Sequence, residues 1–124
     1  TILHEVHHCL RHRGPGYGET LFEALISEGL ADHFEIEITG DEPPKWSTSL
    51  SKEELRKAEE KAKDLYNSTY NHSEWFFGSG SLKKWTGYSL GFYLVSNYLA
   101  ETKSKASELY ATPASEFESV IYGK

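Results

Sequence analysis

Methionine is absent from the 124 residues, and cysteine occurs once, at Cys9. A lone thiol excludes an internal disulfide and fits a reducing, cytoplasmic setting. No apolar run approaches the ~18 residues of a membrane span, and no signal peptide is recognisable, so no membrane partner is expected. Basic clusters are missing too. With a net charge of −6 and no Lys/Arg patch among aromatics, the chain lacks the electrostatic footprint of a nucleic-acid binder. Alternating apolar–polar runs and internal repeats are likewise absent, which argues against sheet. The chain also opens inside a helical pattern with no starting methionine. Residues 1–124 are therefore expected to be a single domain forming the C-terminal part of a longer chain.

What is present suffices for a packed helical core: 38% hydrophobic and 14% aromatic residues. From Thr1 to about His12, Ile2, Leu3, Val6, Cys9 and Leu10 recur at helical spacing. Arg13–Gly18, with three glycines and a proline, must be a loop. A second helix is expected from Glu19 to about Ile38, apolar around nearly its whole circumference and so buried. Ser51-Lys52-Glu53-Glu54 reads as a capping box opening a third helix to about Tyr70, its lysine–glutamate run facing solvent. Residues Asn71 to Thr86, which include the run Glu74–Ser81, read as an ordered loop pinned by aromatics. A fourth helix spans about Gly87 to Glu101, and a short one Lys105 to Tyr110. Thr112-Pro113 then starts a last turn or two through Val120. The expected fold is mainly α, about five to six helices with little or no sheet.

The chemistry concentrates at the start. His4-Glu5-Val6-His7-His8 fits H-E-x-x-H. Residues four apart share a helix face, so His4 and His8 can turn both imidazoles toward one Zn²⁺ while Glu5 projects beside them as general base. The bland alternative is a polar helix start with solvated histidines. A catalytic zinc wants a third protein ligand from another element. Glu28, with nineteen residues between it and His8, stands among Leu21, Ala24, Leu25 and Ala31 in helical projection. A lone carboxylate there is costly unless paired or metal-bound. Asp32, one turn on, can accept the free N–H of a ligand histidine and fix its tautomer. Salt bridges from Glu28 and Asp32 to Arg11 or Arg13 are the competing account. His7 is one residue off the ligand face and is expected to support the ligands or lie exposed. His12 and His33 are expected to be surface or packing histidines, and Cys9 a small buried hydrophobe.

His4-Glu5-x-x-His8 followed by Ser27-Glu28-Gly29-Leu30-Ala31 resembles the gluzincin metallopeptidases. Thermolysin-type enzymes of that clan share the spacing and the Glu-x-x-x-Asp element, here Glu28 and Asp32. The whole chain further resembles the bacterial family of predicted zinc-dependent proteases, a domain of unknown function. The resemblance rests on His4-Glu5-x-x-His8, Glu28-Gly29-Leu30-Ala31-Asp32-His33-Phe34, Trp75-Phe76-Phe77-Gly78 and Gly87-Tyr88-x-x-Gly91-Phe92. It implies a zincin-like helical subdomain, with the H-E-x-x-H helix packed on the Glu28 helix, and one zinc per chain. It further implies a peptide or protein substrate. Oligopeptidases of the clan carry a similar Gly-Tyr element, which makes Tyr88 the first candidate for steadying the oxyanion. His72 and Tyr93 are the alternatives. The leading reading is a zinc-dependent peptidase. The runner-up is a zinc-binding regulatory or interaction module that hydrolyses nothing, which would have no need of Glu5. A purely structural helical domain is a third reading.

Overall fold

The computed structural model describes residues 2–80 and 82–122. Thr1, Ser81 and the side chain of Val120, all placed in elements by the sequence reading, lie outside the described residues. The α-helices are α1 (Ile2–His12), α2 (Leu21–Thr39), α3 (Lys52–Lys63), α4 (Thr86–Thr102) and α5 (Ala114–Tyr122). Short 3-10 turns occupy Lys45–Ser47 and Ala106–Glu108, and one π turn occupies Ser73–Phe77. Among the described residues there is no strand, and no helix is long and apolar enough to cross a membrane. The mainly α expectation therefore holds.

Helix α2 is the axis of the molecule. Leu21, Phe22, Ala24, Leu25, Ile26, Leu30 and Ala31 are all buried, as an apolar circumference requires. Its start is fixed by a capping box: Thr20 accepts from the Glu23 amide at 3.2 Å, and the Glu23 carboxylate accepts from the Thr20 amide at 3.1 Å. The next free amides, Leu21 and Phe22, donate to the carbonyls of Ser68 and Tyr66 at 3.2 and 3.1 Å. This is why α3 stops at Lys63 rather than near Tyr70. Chain beyond Asp64 leaves the helix, and its carbonyls satisfy the start of α2. The expected helix over Lys105–Tyr110 is likewise only a 3-10 turn at Ala106–Glu108. The aromatic segment before α4 forms the π turn, with Trp75 and Phe76 buried and Phe77 left 55% exposed.

Helix α4 packs on α2 backbone to backbone. A Cβ built on Gly29 would be driven into the Gly91 carbonyl and the Val95 side chain, and one on Gly91 into the Leu25 carbonyl. Only hydrogen at both positions permits this approach.

Helix α1 reverses the usual rule. Its inward face carries His4, His7 and Arg11, whereas Ile2 is 82% exposed and Val6 and Cys9 face outward. Cys9 is therefore not a buried hydrophobe, and His7 is fully buried rather than exposed. The cause is that each of these inward side chains hydrogen-bonds a specific partner through at least one of its buried nitrogens. His7 Nε2–H donates to the Ala106 carbonyl at 3.1 Å, and its ring lies 5.2 Å from that of Phe34. Arg11 donates to the carbonyls of Leu109, Tyr110 and Thr112 at 3.3, 3.4 and 2.8 Å, fastening the chain that leads into α5. Burial pushes the Arg11 guanidinium down to about 10, where it remains charged at neutral pH.

Two expectations follow. Gly29→Ala should destabilise the fold by about 1–3 kcal/mol, the cost of overpacking outweighing the gain in helix propensity. Gly14→Ala, where the nearest outside atom is 3.7 Å from the added carbon, should be neutral in the same denaturation series. Burial, chiefly, pushes His7 down from its ordinary 6.5 to about 4. Below about 6.5 the unfolded chain binds a proton that native His7 refuses. Its contribution is therefore lost as pH falls from about 6.5 to about 4, on the order of 3 kcal/mol. His7→Gln, which keeps a donor for Ala106, should flatten that part of the stability–pH curve.

Candidate metal centre

The histidines at positions 4 and 8 lie one turn apart on the inward face of α1, and their rings meet edge-on with centroids 4.6 Å apart. Their Nε2 atoms approach to 3.0 Å. Glu28 on α2 brings Oε1 to 2.9 Å from His4 Nε2 and 3.1 Å from His8 Nε2. Three ligand-type atoms thus form a near-equilateral triangle, and all three residues are buried or nearly so. A tetrahedral zinc with ligand distances of ~2.0–2.1 Å separates its ligand atoms by about 3.3 Å. The triangle is one slightly contracted face of such a tetrahedron.

The proton count makes the same point. Asp32 is fully buried and acceptor-only when ionised. Its Oδ1 lies 2.7 Å from His4 Nδ1, while Oδ2 accepts from Ser47 Oγ at 2.6 Å and Trp46 Nε1 at 3.0 Å. His4 Nδ1 must therefore be the donor, and a neutral His4 turns its Nε2 lone pair toward Glu28. Lone pairs so crowded need a cation between them, a metal or a proton. Burial alone would lower His4, but its hydrogen bonds to Asp32 and Glu28 prevail and raise it to about 9. Burial alone would raise Glu28, yet the hydrogen bonds from His4 and His8 hold it down at about 2. These residues fit a divalent cation.

A further contact orients the carboxylate. Tyr17, in the glycine-rich loop between α1 and α2, donates its hydroxyl to Glu28 Oε2 at 2.8 Å. Oε1 is thereby left to the histidines. Burial, then the Glu28 charge, keeps this phenol protonated, far above its ordinary range. Ser27 ties the same loop down by donating to the Tyr17 carbonyl at 2.9 Å. Trp46 and Ser47 are placed by α4: Ser89 Oγ donates to the Trp46 carbonyl at 2.8 Å and accepts from the Ser49 amide at 3.0 Å.

Glu5 is exposed at the rim, where it lines a cavity of ≈250 Å³ together with His4 and Tyr88. Tyr88 opens α4 and packs edge-on against Phe76 with ring centroids 5.0 Å apart. Tyr93 is removed from the cluster: it faces a separate hollow lined by Lys52, Leu55 and Arg56. His72 stacks on Phe76 and reaches the cluster only through Tyr17, their ring centroids 6.2 Å apart. His33 stacks on Phe92 and bonds the Phe92 carbonyl and Ser96, a packing role, and His12 is exposed. The competing account, a salt bridge from Glu28 to Arg11, does not hold, because Arg11 serves the carbonyls before α5. A larger hollow of ≈480 Å³ lies between the Pro15–Thr20 loop and α5 and shares only Tyr17 with these residues.

Tyr17, Trp46 and Ser47 were not singled out by sequence reasoning. Tyr17 sits in the glycine–proline loop and the other two follow Pro43-Pro44, so each looked like ordinary turn sequence.

Residues 1–119 match the family model described as "Predicted Zn-dependent protease (DUF2268)". Among curated proteins, the uncharacterized protein YjaZ of Bacillus subtilis (strain 168) is 30% identical over 124 residues, 94% of this chain and 48% of that protein. The chain thus spans about half the length of the relative it matches. No solved structure matches it.

If Asp32 and Tyr17 hold His4 and Glu28 in place, Asp32→Asn should weaken zinc binding by roughly 10–100-fold. Tyr17→Phe should weaken it less, because Glu28 keeps its charge. Zinc-competition titration against a chromogenic chelator measures both. Unchanged affinity in both variants would remove these residues from metal binding.

Proposed function

The chain belongs to the family of predicted Zn-dependent proteases, and from that premise we propose that it is the zinc-binding part of a peptidase. One zinc per chain is held by His4, His8 and Glu28, and peptide or protein is the substrate. The observation that carries this reading is the convergence of three ligand-type atoms within about 3 Å, with a free carboxylate, Glu5, on the rim of the adjoining cavity.

Zinc bound there would acidify a water molecule and polarise the peptide carbonyl. The residues of the chain do the rest. Asp32 keeps the His4 proton on Nδ1, so Nε2 stays available as a ligand. Tyr17 restrains Glu28 to one coordinating oxygen. Glu5 accepts the proton of the attacking water and delivers it to the leaving amine, which needs a carboxylate within hydrogen-bond reach of both. Tyr88 donates to the oxyanion. Burial first, then the charges of Glu28, Asp32 and Glu5, push its hydroxyl well above the ordinary tyrosine range, so it keeps its proton at neutral pH. Its place beside Glu5 on the cavity wall supports Tyr88 over Tyr93 or His72 for this role.

Glu5→Gln in the full-length protein should keep zinc at one per chain and abolish peptide hydrolysis, since an amide cannot accept the water's proton. Tyr88→Phe should lower turnover by about 10²–10³ with little change in KM. Metal analysis and a peptide-library cleavage assay on the same preparations check both. Zinc bound and no peptide cleaved by the parent protein would instead make this a zinc-binding regulatory module.

A further inference from the structure

The cavity beside Glu5 has walls that the reaction itself does not require. Besides His4 and Glu5 it is lined by Trp46, Phe77, Trp85 and Tyr88, so four of its six lining residues are aromatic. Its volume, ≈250 Å³, falls below the ~300–1,000 Å³ of pockets that take whole drug-sized ligands, which suits it to a single large side chain. His4 and Glu5 are its two lining residues that are not Trp, Phe or Tyr. The Trp46 indole N–H is spent on Asp32, and so that ring offers the cavity apolar surface.

Trp85 supplies independent evidence. It holds φ 68 and ψ 15, the left-handed region, immediately before α4. A bulky side chain there is a true backbone outlier. Such strain persists only where the surroundings enforce it, and it gathers at functional sites. Lys84 Nζ sits over the Trp85 ring, 4.4 Å from its centroid, and covers one face of it. Phe77, at 55% exposure, is a large apolar group left open at this cavity. An acidic occupant would meet the Glu5 carboxylate. A basic one would enter beside the Lys84 ammonium that covers Trp85.

We propose that this cavity recognises one bulky apolar side chain of the substrate, aromatic by preference, with Trp85 shaping its wall. The proposal rests on the peptidase reading, and its test separates the two. Two of the three tryptophans line the cavity, so intrinsic emission reports its occupancy without catalysis. The full-length protein, stripped of metal with a chelator so that nothing is cleaved, is titrated to millimolar concentration with acetyl-Ala-Ala-X-Ala-amide peptides. X is Phe, Leu, Ala, Asp or Lys. Phe and Leu peptides should bind about tenfold to a hundredfold tighter than Ala, Asp or Lys. Trp85→Gly, which suits the left-handed backbone, should erase that preference while its circular dichroism and melting temperature stay near the parent's. Equal responses to all five peptides, no response to any, preference for Lys, or a preference that survives Trp85→Gly would each overturn the proposal. The zinc-loaded protein is then assayed for cleavage of the same peptides. Cleavage without preference for X would leave the peptidase reading and remove the pocket. Binding preference without cleavage would leave the pocket and remove the peptidase.

Discussion

The seam between α1 and α2 is held by charge rather than by oil. Two buried carboxylates, Glu28 and Asp32, face two imidazoles, and the arrangement is stable only with a cation among them. Isolated, each carboxylate would cost several kcal/mol to bury. The placement of α1 is thus inseparable from the charge state of its inward face. A metal ion held there would take the space of the proton on His4, and its binding would be coupled to the docking of α1.

Around that seam the structure divides its tasks. The α2–α4 contact is tightly apposed backbone to backbone, and the two helices carry Glu28, Asp32 and Tyr88 on either side of it. Irregular segments bring the adjusting groups: Tyr17 from the α1–α2 loop, Trp46 and Ser47 from a 3-10 turn, Trp85 from the residue before α4. Each is fastened in turn to a regular helix, Tyr17 by Ser27 and the Trp46 turn by Ser89. Precision in the cluster therefore derives from the scaffold even where the side chain comes from a loop.

The sequence made α2 and α4 easy to read, because long apolar runs leave little choice of conformation. It made His4, Glu5 and His8 readable as a group because three chemically special residues share one helical turn. The orientation of α1 was not readable by the same logic. Hydrophobic periodicity assigns the inward face to Ile2, Val6 and Cys9, whereas burial here follows hydrogen-bond partners far along the chain, at Asp32, Ala106 and Leu109. The Thr20–Glu23 capping box was present in the sequence and went unused, which left the start of α2 early. The end of α3 depended on carbonyls serving another helix, information that no local pattern carries. Tyr17 and Trp46 are legible only in three dimensions, eleven and fourteen residues from the carboxylates they touch.

The contact of Gly29 with Gly91 joins two backbones with no side chain between them. Such a contact behaves like a gauge block. Its thickness is fixed by covalent geometry and cannot drift as neighbouring core residues are exchanged. Glu28 sits one residue from it and Tyr88 three, on opposite sides of the same crossing. The distance between the two elements that bear the site is thereby insulated from changes in core volume, and the surrounding apolar sequence is free to vary without recalibrating the cluster it supports.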